Sequence, residues 1–194
     1  MLDVMKSNKK GAKPRAGTSQ PLLKQLAARP EKLFSGAFRQ QYGALCFRRG
    51  NAGHDNKNPA SKSSEIEILV VTTRDSGRWI IPKGWPMKKK KPHEAAAIEA
   101  WEEAGVRGTV SKHPIGRYTY LKELDDGDVA PCIVDIFQIE VEAAQSEFRE
   151  VGQRVLDWVS PDEAARRVRE LELKSLLVDF RPRHGKQKQR KKNG

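Results

Sequence analysis

Cysteine is scarce in this chain: Cys46 and Cys132 are the only two among 194 residues. They stand far apart within apolar stretches, which excludes a disulfide scaffold or a four-cysteine zinc site and points to a reducing compartment, the cytoplasm. Long apolar runs are missing as well. No stretch approaches the roughly eighteen apolar residues of a membrane span, and the lysine-rich start lacks the apolar core of a secretory leader, so no membrane partner is expected. Aromatic residues make up 7%, hydrophobic residues 37% and charged residues 32%. That is polar for a globular protein, yet enough to fold one ordinary domain.

Acidic residues are nearly absent from both ends. Residues 1–20 carry five basic side chains and one acid, and residues 181–194 carry seven basic side chains and no acid. These segments hold most of the net charge of +12. They have almost nothing to bury and read as disordered basic tails, able to bind polyanions weakly and without specificity. Residues 21–180 are close to neutral and read as a single domain. Within them, 21–91 is basic and 92–180 acidic, which suits a site where an anion meets a metal ion.

Along that domain an amphipathic segment runs over 21–38, broken at Pro30. Strands are predicted at Tyr42–Phe47, Ile66–Thr73 and Trp79–Pro82, then near 114–121, 132–140 and 155–159. Residues 49–64 form a loop rich in Gly, Asn, Ser and Lys. A helix spans Pro92–Ala104, and further helical sequence begins at Pro161 and continues towards Phe180. Interleaved strands and helices imply an α/β domain with a mixed sheet.

The helix from Pro92 begins by the rules, with proline in the first position and Glu94 facing the positive end of the dipole. Five alanines permit close packing, Ile98 and Trp101 supply an apolar face, and Gly105 offers a left-handed stop. Its last two turns break the rules. Glu99, Glu102 and Glu103 crowd the negative end of the dipole on an arc of roughly 100°. Like charges at this spacing oppose the helix by about 0.2–0.5 kcal/mol per pair. The residues alone allow a solvated acidic stripe or a cradle for a hard divalent cation.

Residues Gly84 to Val106 decide between these. Gly84, Glu99, Ala100, Glu102, Glu103, Gly105 and Val106 stand in register with the Nudix box, without insertion. The chain resembles the Nudix hydrolase superfamily, and around Leu45–Arg48, Val70–Arg74, Arg78–Pro82 and Trp158–Ala164 it resembles the diphosphoinositol polyphosphate phosphohydrolase branch. The likeness covers about residues 39–168. It implies an α/β/α sandwich with a central mixed sheet and the catalytic helix packed against it. It implies a Mg²⁺-dependent hydrolase, with Mn²⁺ as the alternative ion, that cleaves diphosphate linkages in a polyphosphorylated small molecule. Diphosphoinositol polyphosphates and dinucleoside polyphosphates are the leading substrates.

The resemblance assigns roles residue by residue. Glu99, Glu103 and the carbonyl near Gly84 would hold the metal, and Glu102 would take the proton from water, with exchange of roles between Glu102 and Glu103 left open. Arg39, Thr72, Thr73, Arg74 and Arg154 would contact phosphate. Two positions depart from the box: Lys90 stands where it has its first glutamate, and Ile98 where it has arginine. Losing both partners of a brace leaves no charge stranded. The same departures favour a rival reading, a Nudix-fold module that binds polyphosphate or RNA without turnover. Lys88–Lys91 read either as a solvated loop or as substrate contacts. Glu147 and Glu150 occupy a stretch where some Nudix enzymes carry a further ligand or base. The acidic stretch 122–128 weighs against an inositol substrate, and His54, His93 and His113 show no ligand spacing.

Overall fold

Alternation and β-branched runs dictate the strands that form. The computed structural model describes residues 38–50, 66–123 and 129–182. Within them lie β1 (Arg39–Arg49), β2 (Ile66–Thr72), β3 (Trp79–Ile80), β4 (Lys83–Gly84), β5 (Val106–Val110), β6 (Gly116–Glu123), β7 (Val129–Ala144) and β8 (Leu156–Val159). The helices are α1 (Pro92–Ala104), α2 (Pro161–Arg167) and α3 (Leu171–Val178). The tails, the amphipathic segment over 21–37, the loop 51–65 with His54, and the acidic stretch 124–128 lie outside the described residues.

The strands form one mixed sheet in which β3, β2, β1, β7 and β5 are successive neighbours. Only the β1–β7 pair is parallel among these ladders. β7 serves two antiparallel partners on one edge, β6 along Val129–Ile136 and β5 along Ile139–Ala144. β1 is shared in the same manner: Tyr42 and Gly43 pair with β4, and Phe47–Arg49 pair with β2.

Successive strand residues face opposite sides of the sheet. On β1, Cys46 feels the charge of Glu103 at the end of α1, whereas its neighbour Phe47 meets the ring of Phe180, just beyond α3, at 5.3 Å. Helices therefore cover both faces, as the sandwich requires. Leu45, Phe47, Ile68, Leu69, Ile136, Leu173 and Leu177 are fully buried between the layers. Burying a side chain such as Phe47 contributes about 1.5–3 kcal/mol.

Several elements differ from the sequence reading. β4 has two residues and depends on pairing with β1, so no local pattern announces it. β5 carries a register irregularity between Arg107 and Gly108, which disguises its alternation. The C-terminal stretch from Pro161 towards Phe180 is helical as expected, and Val168, extended at φ −74° and ψ 164°, divides it into α2 and α3.

Candidate active site

The start of α1 is fixed by its own side chains: Pro92 opens it, and the Lys91 N–H donates to Glu94 Oε2 at 2.9 Å. Its end is fixed by Gly105, whose φ of 67° is left-handed. A side chain there would also collide with Phe148. Between these stops, Ala95, Ala96, Ala100 and Ala104 are buried and let the helix lie close to the sheet. Close packing carries the helix's acidic end inward, and Glu103 is only 6% exposed.

Glu99, Glu103 and Gly84 come together. Glu103 Oε2 accepts the Lys83 N–H at 3.2 Å. The Glu99 carboxylate sits where a Cβ on Gly84 would be, so any side chain at position 84 would collide with it. This close approach is what the glycine provides. Glu102 turns to a different partner, accepting from Arg149 Nη1 at 2.6 Å, with Arg149 largely exposed.

The loop between β7 and β8 adds a second charged layer. Glu150 N–H donates to the Glu102 carbonyl at 3.0 Å, which ties the loop to the end of α1. Arg154 then reaches inward. Its Nη2 lies 2.6 Å from Glu103 Oε1 and its Nε 2.6 Å from Glu150 Oε2, while Nη1 donates to the Thr72 carbonyl at 2.8 Å. Its side chain is 8% exposed, as is that of Glu103.

Charge in this cluster is unevenly balanced. Burial pushes the Glu99 carboxyl up to about 7, and the charges of Glu103, Glu102 and Glu150 push in the same direction. Glu103 is also raised by burial, against the pull of Arg154 and Lys83. Lys83 is lowered by burial, against the attraction of Glu103. Burial holds the Cys46 thiol well above the usual range, so it remains protonated and unreactive.

The phosphate-contacting residues implied by the resemblance have divided duties. Arg39 lies exposed at the start of β1. The Thr72 hydroxyl accepts the Val155 N–H at 2.9 Å, and the Thr73 hydroxyl accepts the Arg78 N–H at 3.1 Å and meets Ser76 Oγ at 2.8 Å. Both threonines thus hold loops in place. Arg74 is more than half exposed, with one long contact of 3.4 Å to Glu150. The donors of Arg154 are engaged by protein oxygens rather than left facing outward.

Of the two acids weighed in the β7–β8 loop, Glu150 joins the cluster and Glu147 is exposed. Ile98 is not part of the cluster. It lines an apolar cavity of about 320 Å³ with Ala97, Trp101, Val106 and Ile139. Lys90 is exposed on the loop before α1. Sequence reasoning missed Lys83, although it adjoins Gly84, because its role depends on the pairing of β4 with β1.

Comparison with known proteins settles the family. A family model described as the NUDIX domain matches residues 58–180, well over half of the chain. The chain belongs to the Nudix family. Among curated relatives, "Nudix hydrolase 16, mitochondrial" of Arabidopsis thaliana is 27% identical over 140 residues, covering 71% of this chain and 76% of the relative. "Diphosphoinositol polyphosphate phosphohydrolase 3-alpha" of Homo sapiens is 32% identical over 75 residues, covering 39% of this chain and 38% of the relative. Among solved structures, an Ap4A hydrolase of C. elegans matches at 18% identity with a TM-score of 0.49, covering 73% of this chain and 95% of that one.

The Nudix site offers hard oxygen donors. Glu99 and Glu103 bring two carboxylates to Gly84, and carboxylate oxygens suit a hard divalent cation. Burial raises Glu99 first, and the charges of Glu103, Glu102 and Glu150 add to it; a cation bound there would offset both. No group of three His, Cys, Asp or Glu side chains is arranged to hold an ion among the described residues.

Proposed function

We propose that this Nudix-type pyrophosphohydrolase cleaves diphosphate linkages in a polyphosphorylated small molecule, with Mg²⁺ as its ion. The observation that carries the reading is the meeting of Glu99 and Glu103 at Gly84, where a side-chain-free residue admits one carboxylate beside another.

Such a reaction needs water delivered in line while charge on the phosphoryl oxygens is neutralised. A divalent ion supplies that neutralisation and lowers the pKa of water bound to it. Glu99, Glu103 and the Gly84 carbonyl are the groups to hold it. Glu102 is the base in this reading: its carboxylate is partly open to solvent, and Arg149, which pairs with it, is exposed and displaceable. Arg74 and Arg39 have the exposure needed to meet phosphate from solvent, and guanidinium geometry suits that anion. Thr72 and Thr73 hold the backbone that positions Arg74.

A panel of diphosphate-containing compounds, incubated with Mg²⁺ and with EDTA and resolved by product, tests the reading. Metal-dependent release of a phosphorylated product supports it. Retention of every compound intact, with tight binding, would favour the non-catalytic module.

A further inference from the structure

Ile98 stands where the Nudix box has arginine, and it lines the apolar cavity of about 320 Å³ beside α1. Ala97 and Trp101 complete the helix wall. Val106 and Gly108 form the wall on β5, and Ile139 of β7 closes the space from the sheet. Gly108 keeps it open. A Cβ there would run into the Glu140 carbonyl, so β5 passes the cavity at a point where no side chain can stand. The register irregularity between Arg107 and Gly108 falls at the same point. On the opposite wall Ala97 contributes only a methyl group. Ala97, Ile98 and Trp101 are half-buried and Arg107 is exposed, so the cavity meets solvent.

Size and charge together describe an occupant. An apolar cavity of about 150 Å³ stays dry and takes a benzene ring, and this one has roughly twice that volume. The charged side chain that lines it is Arg107, whose Cζ lies 3.8 Å from the centre of the Trp101 ring. Stacking on an aromatic face orients a guanidinium without cancelling its charge. Arg107 is paired with no carboxylate among the described residues. Apolar walls with one placed polar group select a ligand whose body is apolar and whose end complements that group. A guanidinium takes a carboxylate through two parallel hydrogen bonds.

We infer that this cavity binds a small carboxylate with an apolar tail of about eight carbons, the tail between α1 and β5 and the carboxylate on Arg107. At 100° per residue, Trp101 stands about 200° from both Glu99 and Glu103 on α1. The cavity therefore lies on the side of the helix turned away from the carboxylate pair, and the inference goes beyond the hydrolase reading without depending on it. A ligand held there packs against the back of the helix that carries Glu99 and Glu103. Because the cavity exists only when α1 is docked on the sheet, the ligand binds the folded state and raises its melting temperature.

Calorimetric titration of the full chain in EDTA, with octanoate as the probe, tests the site apart from any hydrolysis. Wild type is expected to bind octanoate at least about tenfold more tightly than butanoate, since four further methylenes leave water. It should bind octanoate about fivefold more tightly than octylammonium, whose charge opposes Arg107. Arg107→Gln should weaken octanoate about fivefold and leave octanol unchanged. Ala97→Leu fills the cavity from the helix side and should weaken octanoate at least about tenfold. Octanoate should raise the melting temperature of wild type and not that of Ala97→Leu. If Ala97→Leu does not fold, Ile98→Phe takes its place with the same expectation. No binding by wild type, a preference for octylammonium, or octanoate affinity unchanged in Arg107→Gln or in the filled variant would overturn the site.

Discussion

Replacing Arg154 with Met removes the cation that bridges Glu103 and Glu150. The cost follows from burial. Arg154 and Glu103 are each 8% exposed and Glu150 14%, so little solvent screens the carboxylates left behind. Breaking a buried pair from one side typically costs about 3–5 kcal/mol, because the remaining charge stays desolvated. Here two carboxylates lose their closest cation, Glu150 keeping the long contact to Arg74 and Glu103 the Lys83 N–H, and the Thr72 carbonyl loses its Nη1 donor. For a domain of this size such a loss lowers the melting temperature by roughly 10 °C. The assay is thermal unfolding in EDTA, where no ion substitutes for the guanidinium. Adding Glu150→Gln should recover part of the loss, since it removes one of the two charges that Arg154 paired. Adding Mg²⁺ should stabilise the Arg154→Met protein more than wild type, because an ion binding the folded state then replaces a missing charge. An Arg154→Met protein that melts with wild type in EDTA would refute the reasoning, and the cluster would have to be more hydrated than its geometry indicates.

Glu102→Gln and Glu103→Gln are each expected to cut turnover by about a hundredfold or more with the fold retained, measured by product release beside a melting curve. Gly84→Ala should abolish Mg²⁺ binding by calorimetry, because the new methyl occupies the place of the Glu99 carboxylate. Gly77→Ala, where a Cβ meets nothing within 4 Å, should leave Mg²⁺ binding intact. Glu99 titrates near 7 when folded, above its ordinary 4.5, so the folded protein binds a proton there that the unfolded chain has lost. That contribution to stability is full below about pH 4.5 and lost as the pH rises through 7. Metal-free wild type should therefore melt progressively lower from pH 5 to pH 8 relative to Glu99→Gln, and parallel curves would dismiss the shift.

The parts of the fold most legible in the sequence were those set by local rules. α1 occupies Pro92–Ala104 because proline, Glu94 and Gly105 mark its ends independently of the rest of the chain. Glu99 and Glu103 were legible as a pair because helical spacing alone puts them on one side. Gly84 joined them through the register of the Nudix box. What escaped depends on pairing between distant segments. β4 exists through two bridges to Tyr42 and Gly43, and with it comes the direction of Lys83. Arg154 is 51 residues from Glu103, and no spacing rule distinguishes a phosphate contact from an internal counter-ion at that separation. The missing brace is likewise a matter of packing. Ile98 lines the cavity beside Trp101, so the position is used for apolar contact while a guanidinium from another loop meets Glu103.

The most direct test of the central claim is hydrolysis in ¹⁸O-labelled water, with wild type and Glu102→Gln compared on a diphosphate-containing polyphosphate in Mg²⁺. The account predicts that wild type places one ¹⁸O on a phosphoryl product, that EDTA stops incorporation, and that Glu102→Gln slows it about a hundredfold. Equal incorporation by wild type and Glu102→Gln, or none by a wild type that binds the compound tightly, would contradict it.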